Sequence, residues 1–332
     1  MILVTGGTGL VGSHLLVELA SQGIRVKALR RNTSDTSVVP KLFSHYDVNI
    51  QNLKFIEWVE GDVEDYHRLK DLLEDVTTVY HCAAIVSFSG SDFRRMLAVN
   101  VQGTANIVDA CVVAGVKQLC FVSSVAALGL PASNGMVDEN TLWEKSKGKS
   151  GYAVSKFQSE MEVRRGIELG LNATIVNTTV VIGPGKWNSG SGLIFKTIKR
   201  GFPFYTTGVT GYVDARDVAQ AMISAVEKKY WDKRFVVNGQ NLSLQEVFSE
   251  IARAMGKKPP YIKITPWMSS IAWRFAAFAS IFSRKNPALT RETARSGHSQ
   301  TYYSSSLAEE KLGITFRKIS DAIENTVNAG RF

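Results

Sequence analysis

Cysteine is scarce and scattered in this sequence. Cys82, Cys111 and Cys120 are the only three, they form no Cys-x-x-Cys pair, and no histidine cluster stands beside them. That excludes a disulfide framework and a zinc-type ligand set, and fits buried thiols in a reducing compartment; no metal is expected. The apolar stretch Trp267–Phe282 is 16 residues, short of the roughly 20 that span a bilayer. No leader-like stretch precedes the first strand pattern, which Met1 nearly begins, so a cytoplasmic location is expected. No basic run interleaved with aromatics occurs: the formal charge of +9 is dispersed along the chain, which speaks against a nucleic-acid partner. No low-complexity linker divides the chain, so its C-terminal part is expected to pack on the rest.

What is present begins with Ile2–Ala20. A short apolar run, Ile2 to Val4, ends in glycines, and Leu15, Leu16 and Leu19 then recur at helical spacing, which predicts strand, tight turn, helix. Gly6, Gly9 and Gly12 fall three apart within Thr5-Gly6-Gly7-Thr8-Gly9-Leu10-Val11-Gly12. The first permits the turn, the second lets backbone approach a pyrophosphate, and the third lets the helix lie close to the strand with its N-terminal amides toward the phosphates. The flanking strand and helix supply the context that a bare glycine triplet lacks.

The chain is 332 residues long, with 45% apolar and 21% charged residues, ordinary for a globular protein of one large or two domains. A second strand over Ile24–Leu29 ends at Arg30-Arg31, where a dinucleotide fold meets the adenosine ribose. Arginines there favour the 2′-phosphate of NADP(H), an acid the free hydroxyl of NAD(H), and no acid follows until Asp35. NADP(H) is therefore favoured, with NAD(H) the alternative. Further strands are expected at Phe55–Glu60, Thr78–Ala84, Leu119–Val122 and from Ala173 through Ile182, alternating with helices, one of them over about 93–114. This predicts an α/β fold with a Rossmann-like, doubly wound parallel sheet and a smaller C-terminal α/β part. Residues 1–180 form the dinucleotide-binding domain, with 212–240 returning to it, and 181–211 with 241–332 form a substrate-binding part.

Ligands of such sheets bind beyond the carboxyl ends of the strands. Ser123-Ser124 end the fifth strand, and Asp62 ends the third, either at the adenine edge or as a helix N-cap. Ala83-Ala84 are small enough for close approach to a cofactor, and His81 reads as a packed histidine. Tyr152 and Lys156 lie four apart on one helical face. Hydride transfer leaves charge on a substrate oxygen that needs a proton donor and a hydrogen bond, and an ammonium near tyrosine favours the phenolate. Phe88, Leu128, Trp187, Phe204 and Tyr205 fit an apolar or aromatic substrate pocket, or core. Trp267–Phe282 carries Arg274 as its sole charge and sets Ile271, Phe275, Phe278 and Phe282 on one face between Lys263 and Arg284-Lys285. The favoured reading is a packing helix over an apolar pocket or a dimer contact; the alternative is a helix lying on a membrane surface.

Taken together, the glycine motif, Gly61-Asp62-Val63, Asn100-Val101-Gln102-Gly103-Thr104, Ser123-Ser124, Tyr152-Ala153-Val154-Ser155-Lys156, Gly183-Pro184-Gly185 and Tyr212–Ala219 resemble the extended short-chain dehydrogenase/reductase family over nearly the whole chain. The likeness is strongest to its dihydroflavonol-reductase-like branch. The resemblance implies Tyr152 as general acid/base, Lys156 lowering its pKa and holding the nicotinamide ribose, and Ser124 on the substrate carbonyl, with Ser123 the fallback. It implies Asn100 as a support for backbone or a water relay and Asp62 and Val63 at the adenine. Ala83 and Ala84 would lie at the ribose and phosphates, and Thr179 to Val181 beside the nicotinamide. It further implies a homodimer through the helices at about 94–114 and 152–169. Leu128 before Gly129, and Thr210 where epimerases of the family carry arginine, weaken a nucleotide-sugar epimerase/dehydratase reading, which stays the alternative beside a non-catalytic nucleotide sensor. Thr178 replaces a proline common among the reductases.

Overall fold

The computed structural model describes residues 1–130, 135–144, 148–283 and 290–330, with side chains in 276–283 excepted. Pro131, Lys145–Lys147, Arg284, Lys285 and the side chains of Phe278 and Phe282 lie outside the described residues. The strands are β1 Ile2–Thr5, β2 Val26–Arg30, β3 Ile56–Glu60, β4 Thr78–His81, β5 Gln118–Ser124, β6 Ala173–Thr178, β7 Val180–Ile182, β8 Phe204–Tyr205, β9 Val209–Asp214, β10 Lys233–Val237, β11 Gln240–Ser243 and β12 Ile262–Lys263. The helices are α1 Leu10–Ser21, α2 Val38–His45, α3 Tyr66–Leu72, α4 Phe93–Met96, α5 Gly103–Ala114, α6 Gly151–Glu168, α7 Gly192–Lys199, α8 Ala215–Glu227, α9 Leu244–Ala254, α10 Pro266–Ser283, α11 Arg291–Ser296 and α12 Ile319–Ala329.

Seven strands form one sheet in the order β10-β6-β5-β4-β1-β2-β3, every pair parallel. Consecutive side chains of a strand face opposite sides, and both faces are apolar. Val4, Tyr80, Cys120 and Val176 point into a core shared with α1, α2 and α8. Leu3, Val79, Phe121 and Ile175 point into the other core, shared with α3, α5 and α6. Burial on both faces explains why these strands are near-continuous apolar runs. Strand order reverses between β1 and β4, and the crevice at such a switch point is where doubly wound folds bind ligands. The fold is the expected Rossmann-like α/β sheet.

The sixth strand does not run through to Ile182 as its sequence suggests. It stops at Thr178, Thr179 donates its amide and hydroxyl to the Val237 carbonyl, and β7 joins a second sheet, β11-β9-β7. β9 approaches this corner at Gly211, where a Cβ would overlap Asn238 and Thr179. Thus α8 and β10 return to the main sheet, whereas β9 belongs to the second. That sheet lies against α7, α9 and α12 over Ile182, Phe195, Tyr212, Val247 and Ile251. A short parallel pair, β12-β8, precedes α10.

Candidate functional site

At the switch point the glycine loop adopts the geometry its sequence requires. Gly6 has φ +69°, and a Cβ there would lie 2.7 Å from the Ala83 nitrogen, so the loops after β1 and β4 meet backbone to backbone. The Gly9 amide donates to the Gly6 carbonyl at 2.9 Å, and any side chain on Gly12 would overlap that carbonyl. Gly9 caps α1 without a side-chain hydrogen bond, and the first turn holds no acid. This end of α1, bounded by Thr8, Leu10 and Val11, offers backbone amides and a positive dipole end to an anion. The residues present fit a dinucleotide pyrophosphate. Gly183-Pro184-Gly185 closes the same edge: a Cβ on Gly185 would sit 3.3 Å from Leu10.

The remaining cofactor residues are distributed as follows. Arg30 ends β2 half-buried and Arg31 is exposed; neither makes an ion pair among the described residues. Asp35, the first acid after them, pairs with Lys186 at 3.3 Å and accepts from the Ser37 amide at 3.0 Å. Hydrogen bonds from Ser37 and Lys186 hold its carboxyl down at about 2. Asp62 is not the cap of α3: that role falls to Asp65, which accepts from Arg68 N at 3.0 Å, while Asp62 turns onto the Glu64 amide. Val63 buries its side chain, and its carbonyl accepts from Asn106. Ala83 is half-buried and Ala84 exposed. Thr179 is buried at the strand break, and Val181 lies in β7, its carbonyl accepting from Ser191.

One buried hydrogen-bond chain ties these loops together. Thr5 Oγ1 lies 2.7 Å from His81 Nδ1 and accepts from Ala83 N; His81 Nε2 lies 3.0 Å from Thr104 Oγ1, which donates to the Asn100 carbonyl. Because Thr104 donates onward, His81 must carry its proton on Nε2 and accept from Thr5 at Nδ1. Burial, reinforced by the Lys156 charge, pushes its pKa down to about 3 and keeps the ring neutral. His81 is therefore a packed histidine. Asn100 is likewise committed. It accepts from the Ile85 amide at 2.7 Å and donates to the Ile85 carbonyl and Ser155 Oγ. Asn100 thus clamps the loop after β4.

The chemistry gathers where β5 ends against α6. Ser150 caps α6 by accepting from Ala153 N, which sets Tyr152 and Lys156 one turn apart on the face toward β5. Burial raises the Tyr152 phenol, and a hydrogen bond from Ser124 opposes that rise. Phe88, exposed, stands edge-on to its ring at 6.1 Å. Lys156 is 2% exposed; its ammonium donates to the Val122 carbonyl at 2.7 Å and sits 4.3 Å above the Phe121 ring. Burial pulls its pKa down to about 8, against the raising influence of Glu160. The expected lowering of the Tyr152 pKa by Lys156 is not seen, because the ammonium is turned onto β5 and desolvation governs the phenol.

Below this pair lies a constellation the motifs do not contain. Glu160, fully buried, accepts from Ser123 Oγ at 2.5 Å and Asn177 Nδ2 at 2.6 Å and faces Arg234 at 3.3 Å. Ser123 thus serves Glu160, while Ser124 Oγ accepts from the Ala126 amide at 3.1 Å. The signal was present: Glu160 follows Lys156 by one more helical turn, a carboxylate on an inward face. Two of the residues read as pocket lining are core: Trp187 is 4% exposed against Phe195, and Leu128 is 1% exposed beside Val137 and Val236. Phe204 and Tyr205 are half-buried in β8. The described face of α10 does not cover a pocket: Trp267, Ile271 and Phe275 are 65%, 46% and 71% exposed, while its other side anchors through Ser269 to His298. No group of His, Cys, Asp and Glu suited to a metal occurs among the described residues.

A parallel sheet with a glycine-cradled helix at its switch point, and a Ser-Tyr-Lys set on the neighbouring strand and helix, define a nicotinamide-dinucleotide oxidoreductase of the Rossmann type. Comparisons agree. The profile of the NAD dependent epimerase/dehydratase family matches residues 2–237. A putative dihydroflavonol 4-reductase from Synechocystis is 28% identical over 98% of this chain and 93% of its own length. Sterol demethylase protein B from Methylococcus capsulatus is 28% identical over 94% of this chain and 92% of its own. The solved structure of gox2253 superposes with a TM-score of 0.82 at 30% identity, covering 99% of this chain and 97% of that one. The chain belongs to the NAD dependent epimerase/dehydratase family, within the extended short-chain dehydrogenases/reductases. It is an NAD(P)-dependent enzyme.

Proposed function

We propose that the protein is an NADP-dependent oxidoreductase interconverting a carbonyl and an alcohol on a small apolar or aromatic substrate. The observation that carries this reading is the placement of Ser124 at the end of β5, Tyr152 on the facing turn of α6 and the buried ammonium of Lys156 one turn further on, at the edge where the glycine cradle opens. When bound, the nicotinamide supplies or accepts the hydride. Tyr152 gives its phenolic proton to the developing alkoxide, or takes it from an alcohol in the reverse direction, and Ser124 hydrogen-bonds the same oxygen. Lys156, its ammonium held on the Val122 carbonyl one turn along α6, would hold the nicotinamide ribose.

Charge at the end of β2 supports NADP(H). Arg30 and Arg31 have no carboxylate partner among the described residues, and Asp35 is engaged by Lys186 and Ser37, so the ribose end is positive. Phe88 against Tyr152 supports an apolar ligand, and the relatives named for dihydroflavonol reduction and sterol demethylation point the same way. Fluorescence titration of purified protein with NADPH and NADH, after a check for carried-over nucleotide, tests the reading. Reversible binding that favours NADPH is expected. Arg30→Ala with Arg31→Ala should weaken NADPH by about 10- to 100-fold through lost charge-assisted hydrogen bonds, with far less effect on NADH. Equal weakening of both overturns the NADP assignment. Retained, non-exchanging NAD moves the nucleotide-sugar epimerase reading ahead.

A further inference from the structure

We propose that α10 is a docking face for an anionic phospholipid surface. Trp267, Ile271 and Phe275 follow each other at four-residue spacing and project from one side of the helix into solvent. Exposed aromatic and branched side chains on one helical stripe, unpartnered, are costly in water unless something covers them. The opposite side is fixed to the protein through Ser269 and His298, so the helix cannot roll to hide the stripe. Tyr261, just before the helix and bonded through its amide to the Pro203 carbonyl, is 72% exposed and extends the aromatic set.

Charge identifies the occupant. Between Glu250 and Glu292 the sequence contains no acidic residue, yet it carries Arg253, Lys257, Lys258, Lys263, Arg274 and Arg291, all exposed. Glu292, the nearest acid beyond, is half-buried. A tryptophan-phenylalanine stripe within a stretch of sequence whose charges are all cationic matches the interface of an anionic bilayer, where rings sit at headgroup depth and cations meet phosphates. A second copy of this chain is disfavoured: a two-fold contact sets the patch against itself and would press Lys263 and Arg274 toward their own equivalents. The helix would lie in the interface and not cross it. The face has no part in the catalytic set, so the proposal stands or falls apart from the assigned reaction.

Flotation of the purified full-length protein with vesicles of phosphatidylcholine alone, and of phosphatidylcholine mixed with phosphatidylglycerol, tests this. Co-flotation with the anionic vesicles, weaker with the neutral ones and reduced by salt, is expected. Trp267→Ser with Phe275→Ser should cut vesicle partitioning by about tenfold or more through loss of buried apolar area, with melting temperature and NADPH titration unchanged. Lys263→Glu with Arg274→Glu should do the same for anionic vesicles only. Absence of wild-type co-flotation overturns the proposal. So does equal flotation of the serine variant, or a serine variant that changes oligomeric state on size exclusion while still binding vesicles.

Discussion

Tyr152, Lys156 and Glu160 occupy one face of α6 at successive turns, and each meets a different partner on β5 or its neighbours: Ser124, the Val122 carbonyl and Ser123. Tyr152→Phe removes the proton and keeps the ring. A positioned acid/base contributes about 10²- to 10⁴-fold, so steady-state turnover should fall by that factor while the NADPH dissociation constant stays within about twofold. A variant that keeps most of its turnover removes Tyr152 from the reaction. Glu160→Gln keeps shape and removes the charge that raises Lys156 toward its ordinary range. Lys156 then loses its proton at lower pH, so the alkaline limb of kcat/KM should move to lower pH. Arg234, 14% exposed, is left without its carboxylate, and breaking a buried pair costs about 3 kcal/mol, read as a lower melting temperature. Lower stability with an unmoved alkaline limb would make Glu160 purely structural. Glu160 escaped motif reading because a lone glutamate in a helix resembles any solvated charge; only β5 and β6 packed beside it distinguish the inward face. The same ambiguity ran the other way at Trp187 and Leu128, whose side chains suit a pocket and a core equally until α7 and the 125–137 segment are placed around them.

Among elements, what the sequence makes legible is what depends on local pattern. The strand-turn-helix of Ile2–Ser21 is written in glycine spacing and apolar periodicity, and the central strands β1, β4, β5 and β6 are written in their apolar runs. The break at Thr179 is not, since Val180-Val181-Ile182 continues the run; it follows from a tertiary contact with Val237 and Gly211. His14 is another such contact. It joins α1 to the end of α2 by bonding the Leu10 carbonyl at 2.8 Å and Tyr46 Oη at 3.0 Å, beneath Gly183. Burial lowers its pKa from 6.5 to about 4, against the raising effects of the Leu10 hydrogen bond and the Asp214 charge. Between those values the unfolded chain binds the extra proton, so this histidine adds to stability above about pH 6.5 and the contribution is lost as pH falls to about 4. At 1.36 kcal/mol per pH unit the difference is about 3 kcal/mol. Urea unfolding at pH 7 and pH 4.5 should therefore show a smaller acid loss in His14→Gln than in the wild type. Equal losses in both proteins would show that His14 does not link these elements as a neutral ring.

At the scale of the whole molecule, two of the apolar surfaces exposed among the described residues differ in charge. The first, on α10, lies in a stretch of sequence with no acid between Glu250 and Glu292. The second lies on and beside α5 and α6, where Val112, Val113, Met161 and Leu169 are 36%, 59%, 37% and 55% exposed. Here the charges are mixed: Arg165 bridges Asp109 at 2.7 Å and Glu162 at 2.8 Å, tying the two helices together. Mixed charge tolerates self-contact, because a two-fold axis can set the arginine of one copy near the acids of the other. We propose that this surface, not α10, forms a homodimer, as the family resemblance implies. Val113→Glu together with Met161→Glu places carboxylates in the apolar centre of such a contact, and in a self-complementary interface each substitution counts twice. Light scattering coupled to size exclusion should report a dimer for the wild type and a monomer for the variant, with NADPH binding kept, since neither residue approaches the glycine cradle. Vesicle flotation should persist in the monomer, because α10 is untouched. A wild type that is monomeric, or a variant that stays dimeric, overturns the assignment of this face.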